Sequence, residues 1–141
     1  MIKNSIRIML VDDHQLVRES WKMLLEKNPR FHVIADCANG QMALEQILTL
    51  RPDIMLVDIN MSPMNGFAIT KSVLDILPSI RIIGLSVHNQ PKYALRMMEL
   101  GAKGFLTKTS TLEEINHGIL AVHKGESYIC EEVRKNMHPS E

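Results

Sequence analysis

Five polar residues stand directly behind the short apolar runs of this sequence. Asp12 and Asp13 follow Ile6 to Val11, Asp58 follows Ile54 to Val57, Ser86 follows Ile82 to Leu85, and Lys108 comes just past Phe105 and Leu106. Taken singly, each has a plain role: an aspartate can cap the next helix, a serine can cap a turn, and a lysine can be solvated surface. Taken together, they are three carboxylates, one hydroxyl and one ammonium, far apart along the chain yet all at the same end of an apolar run. Three carboxylates at one edge repel and raise at least one pKa, and a hard divalent cation with oxygen ligands relieves that repulsion. Mg2+ suits such a set, because one or two carboxylates, a backbone carbonyl and waters are its usual ligands when it also holds a phosphoryl oxygen. Phosphoryl transfer asks little more of a protein than an in-line nucleophile and positive charge over the equatorial oxygens. Asp58, the metal and Lys108 would supply these.

For the five residues to meet, the runs before them must be strands of one parallel sheet, where ligands bind at the carboxyl ends. The remaining sequence agrees. A weaker run spans Phe31 to Ala38, and between the runs apolar residues recur at helical spacing. They are Val17, Trp21, Leu24 and Leu25, then Ala43, Leu44, Ile47 and Leu48, then Thr70, Val73, Leu74 and Leu77. Ala94, Met97 and Met98 follow, and Leu112, Ile115, Ile119 and Val122 close the series. Strands apolar on both faces need helices on both faces, so the pattern predicts five βα units. Asn39 can cap the second helix, and Asn28-Pro29, Arg51-Pro52 and Pro78 end helices. Ser110-x-x-Glu113 or Thr111-x-x-Glu114 offers a capping box for the fifth. The stretch after Lys124 has no clear apolar periodicity and reads as a partly ordered extension of that helix.

With 141 residues, 45% of them hydrophobic and 23% charged, the chain has the composition of one ordered domain. Sixteen basic residues balance sixteen acidic ones, so the chain by itself is expected to bind DNA poorly. Met1 to Val11 is a short apolar run ending in aspartates rather than a cleavable leader, and Cys37 and Cys130 are expected to be reduced thiols. No stretch reaches the ~20 apolar residues of a membrane span, so a soluble, cytoplasmic protein with no membrane partner is expected.

The segments around the five residues resemble the receiver domain of two-component response regulators. They are LVDDH at Leu10 to His14, LVDINMSPMNG at Leu56 to Gly66, LSVH at Leu85 to His88 and GAKGFLTK at Gly101 to Lys108. The resemblance implies a flavodoxin-like α/β fold, a (βα)5 doubly wound parallel sheet of strand order 2-1-3-4-5. It implies that Asp58 accepts a phosphoryl group from a sensor histidine kinase and that Asp13 and Asp58 bind Mg2+ with the Asn60 carbonyl. Asp12 would hold a metal water, Lys108 would pair with the phosphoryl group, and the Ser86 hydroxyl would move to bond it. Asn60 and His88 occupy the positions that set how readily water reaches the acyl phosphate. Finer detail resembles the NarL/FixJ subgroup, whose receivers precede a LuxR-type helix-turn-helix. Three departures stand out: Met61-Ser62-Pro63 displaces the usual proline by one position, the switch aromatic is Phe105 without a hydroxyl, and Thr109 replaces the usual proline after Lys108. Phe105 is expected inward and controlled by packing, and the Lys108–Thr109 peptide bond is expected to be cis.

Two other readings compete. A haloacid-dehalogenase-type phosphatase also forms an aspartyl phosphate but needs a second carboxylate two residues on, where this chain has Asn60. A pseudo-receiver, a pure docking module, is disfavoured by the retention of Asp12, Asp13, Asp58, Ser86 and Lys108. None of the six histidines shows metal spacing, so zinc is not expected. Residues 1–125 are expected to form the receiver and 126–141 a tail leading to an effector domain outside this sequence, through which alone DNA would be bound. A homodimer is among the expected partners, and a docking protein partner would use the face of the fourth helix, fifth strand and fifth helix, bearing Lys92, Tyr93, Arg96 and Glu99.

Overall fold

A computed structural model describes residues 5–137. The elements alternate: β1 (Ile6–Val11), α1 (Gln15–Leu25), β2 (Phe31–Cys37), α2 (Gly40–Leu50), β3 (Ile54–Asp58) and α3 (Gly66–Ile76) come first. β4 (Arg81–Ser86), α4 (Pro91–Glu99), β5 (Gly104–Thr107), α5 (Leu112–His123), β6 (Tyr128–Ile129) and α6 (Glu131–Arg134) complete the chain. All strands are parallel, in the order β2-β1-β3-β4-β5-β6. Helix α1 packs with α5, while α2 packs on α3 and α3 on α4. This is the expected doubly wound sheet with one strand added.

Burial follows strand position. Every residue of the central β3 is buried, which is why Ile54 to Val57 is an unbroken apolar run. At the sheet edge, only the end residues Phe31 and Cys37 of β2 are buried, and its signal is weaker for that reason. Capping is local and legible. The Asn39 side chain accepts a hydrogen bond from the Met42 amide and starts α2, and Thr111 accepts from the Glu114 amide to start α5. Asn65 does the same for α3, accepting from the Ala68 amide.

The expected extension of α5 is not observed. That helix ends at His123, Gly125 turns the chain at φ +98°, and Tyr128 and Ile129 pair with Gly104 and Phe105. Cys130 and Val133 are fully buried and anchor α6. The β5 edge is thus covered by the chain's own β6, while Lys92, Arg96 and Glu99 on the expected docking face stay exposed. Tyr128 donates its hydroxyl to Glu114 at 2.8 Å, so the carboxylate that sequence spacing assigns to a capping box reaches β6 instead.

Cys37 and Cys130 are free and buried, and burial pushes the Cys37 thiol up to about 11. Among the described residues, no helix is long and apolar enough to cross a membrane. His138 lies outside the described residues.

Candidate functional site

The carboxyl ends of β1, β3, β4 and β5 bring all five polar residues to one edge. Asp58 is the last residue of β3 and Ser86 the last of β4; Asp12 and Asp13 follow β1 and Lys108 follows β5. Their backbones are tied across the edge, since the Lys108 amide donates to the Ser86 carbonyl at 2.8 Å. Asp12 and Asp58 are buried to within 1% of full occlusion, whereas Asp13 is open to solvent.

One cation holds the two buried carboxylates. Lys108 Nζ lies 2.8 Å from Asp12 Oδ2, as an ion pair, and donates a hydrogen bond to Asp58 Oδ2 at 3.1 Å. Burial works to lower the lysine's pKa, but the Asp12 and Asp58 carboxylates outweigh it and hold the ammonium above its ordinary value. The other oxygens are taken from below: Asp58 Oδ1 accepts the Asn60 amide and Asp12 Oδ1 accepts the His14 amide, each at 2.9 Å. The expected cis bond is absent. Among the described residues the only cis peptide is Ser62–Pro63, and Lys108 reaches Asp58 through a trans bond to Thr109. No backbone strain is needed to aim it.

His14 is a member that sequence reading missed. Its Nδ1 lies 3.1 Å from Asp12 Oδ1 and 3.0 Å from Asp13 Oδ1. Ligand atoms of Asp12, Asp13, His14 and Asp58 all fall within 4.8 Å of one another. Three carboxylates so close, one of them open to water, fit a hard divalent cation with oxygen ligands. The signal for His14 was its position directly after the aspartate pair, but a search by zinc spacing overlooks it.

The Ser86 hydroxyl makes no hydrogen bond to Asp58. It accepts the His88 amide at 2.9 Å and donates weakly to Asn60 Oδ1 at 3.4 Å. The His88 ring stacks on Tyr93, with centroids 4.9 Å apart. Phe105 is inward and fully buried, as expected. Gly84 makes room for it, since a Cβ there would meet Phe105 at 3.1 Å and Met97 at 3.0 Å.

Sheet and edge together define a flavodoxin-like domain with an acidic site at its carboxyl end. The chain belongs to the response regulator receiver family, whose pattern matches residues 8–120. It is 34% identical over 135 residues to the transcriptional regulatory protein DegU of Brevibacillus brevis, covering 96% of this chain and 57% of DegU. A LuxR-family two-component response regulator from Aurantimonas sp. SI85-9A1 superposes with a TM-score of 0.90 at 30% identity, over 94% of each chain. The receiver domain of the putative response regulator NarL from Mycobacterium tuberculosis gives 0.81 at 32% identity, over 87% of this chain and 99% of that one. These relatives support the NarL/FixJ, LuxR-type subgroup. The chain spans little more than half the length of the curated relatives it matches.

Proposed function

We propose that this chain is the phosphoryl-accepting switch of a two-component regulator, with Asp58 as the acceptor. The observation that carries the reading is Lys108 Nζ seated between Asp12 and Asp58 at the carboxyl edge of the sheet. A carboxylate oxygen of Asp58 attacks the phosphorus of a sensor kinase's phosphohistidine. The new O–P bond forms as the P–N bond breaks, and its electron pair leaves with the imidazole nitrogen. Asp13, Asp58 and the Asn60 carbonyl would hold Mg2+, with Asp12 on a metal water; the bound ion adds positive charge over the phosphoryl oxygens. Lys108 orients the acceptor before transfer and pairs with the phosphoryl group after it. Ser86 then gives up Asn60 and turns its hydroxyl to a phosphoryl oxygen, while the inward Phe105 fills the space behind it. Asn60 and His88 flank the approach of water to the acyl phosphate.

The regulator works in the cytoplasm, and residues 126–141 lead toward a DNA-binding effector domain that this sequence does not include. Asn60 stands where a phosphatase of this chemistry needs its general acid, which leaves the phosphoryl group on the chain rather than turning over a substrate. Incubation with acetyl phosphate and Mg2+, followed by intact mass, tests the reading. One phosphoryl group should appear and later decay, and none should appear in EDTA. Catalytic turnover of acetyl phosphate without a phosphorylated species supports a phosphatase; no reaction at all supports a docking module.

A further inference from the structure

Glu132, on α6, accepts three hydrogen bonds from the end of β5 and from two loops that border the site. Its Oε1 takes the Thr107 and Thr109 hydroxyls, each at 3.1 Å, and its Oε2 takes the Asn89 side-chain amide at 3.0 Å. Thr107 and Thr109 flank Lys108 on either side, and Asn89 lies three residues after Ser86. The Asn89 amide above all, and the two hydroxyls behind it, hold the Glu132 carboxyl below the usual carboxylate range against the opposing effect of burial. A second tie runs beside the first, from the Asn136 side-chain amide to the Asn89 carbonyl at 3.1 Å. Behind these contacts the Cys130 amide donates to the Phe105 carbonyl at 3.0 Å, so α6 is fastened to β5 as well.

Glu132 touches neither Asp58 nor any group that would hold the phosphoryl. It grips the two segments that must move. We propose that Glu132 is a positioning residue that couples the Asp58 site to the C-terminal segment, holding the β4–α4 and β5–α5 loops in the resting arrangement and keeping α6 docked. The inference rests on the reading of Asp58 as phosphoacceptor. When Ser86 and Lys108 turn toward a phosphoryl group, Asn89 and Thr109 are carried with their loops while Thr107 stays on β5, and the three bonds to one carboxylate cannot all persist. The four-residue α6 is otherwise held by buried Val133, the Cys130 and Asn136 ties and the Glu131 amide on Glu114 at 2.7 Å, few enough that loss of three bonds loosens it. Release of α6 is therefore the local output. Coupling of this kind is reciprocal at equilibrium. If the phosphoryl state weakens the Glu132 bonds, loss of those bonds favours the phosphoryl state by the same factor.

Hydrogen exchange read by mass, on the full chain with and without beryllofluoride and Mg2+, tests this. In the native chain, exchange across 131–137 should speed up when beryllofluoride binds. In Glu132→Ala it should be fast in both states, and beryllofluoride should bind about fivefold tighter or more, the lower range of allosteric couplings. Asn89→Ala, which keeps α6 and two of the three bonds, should fall between, and it decides the matter if Glu132→Ala does not fold. Binding with unchanged exchange at 131–137, or unchanged affinity in the variants, overturns the coupling alone. A native chain that binds no beryllofluoride overturns the phosphoacceptor reading and the coupling together.

Discussion

Lys108 is the cation within reach of both Asp12 and Asp58, and all three side chains are withdrawn from water, the lysine to 13% exposure. Removing it strands two buried carboxylates side by side. Lys108→Met should therefore lose up to about 3–5 kcal/mol in urea unfolding without divalent cation, the cost of breaking a buried ion pair from one side. Added Mg2+ should restore more stability to the variant than it adds to the native chain, because the ion then faces carboxylates with no resident ammonium. Equal gains in both proteins would contradict this charge balance. At this scale the sequence was most readable where position in a strand decided the role: Asp12, Asp13, Asp58, Ser86 and Lys108 all stand at or just past the end of an apolar run. Glu132 escaped because its partners come from loops separated by many residues, and no periodicity links Asn89, Thr107 and Thr109 to a carboxylate beyond the fifth helix.

The loop from β3 to α3 is closed by backbone rather than by side chains. At Gly66 a Cβ would lie 2.5 Å from Ile59 Cα and 2.7 Å from the Asp58 carbonyl oxygen, neither of which can move without displacing the acceptor. Gly40 is crowded instead by the side chains of Ile69 and Met64, which can shift. Gly66→Ala should thus cost at least the 1–3 kcal/mol or so typical of overpacking, and Gly40→Ala clearly less, in parallel urea titrations. Equal losses would mean that the loop yields as readily as a side chain. The five longer strands and five long helices could be read from the sequence because apolar spacing repeats within each of them. β6 and α6 could not: a two-residue strand and a four-residue helix offer no repeat, and their burial rests on Cys130 and on Val133, which stands alone between Glu132 and Arg134. The Gly125 turn was visible in sequence only as a glycine after the fifth helix.

The molecule as a whole carries as many acidic as basic residues, and its chemistry is concentrated at one edge of one sheet. Its C-terminal segment is fastened to β5 and, through Glu132 and Asn136, to Asn89, and the proposed coupling would link that segment to the acidic edge. That link holds only if Asp58 is the residue that is modified. Intact mass of the native chain and of Asp58→Ala, each incubated with acetyl phosphate and Mg2+, tests this most directly. The account predicts a gain of one phosphoryl group in the native chain and none in the variant. A variant that still gains a phosphoryl group, or a native chain that never does, would contradict it.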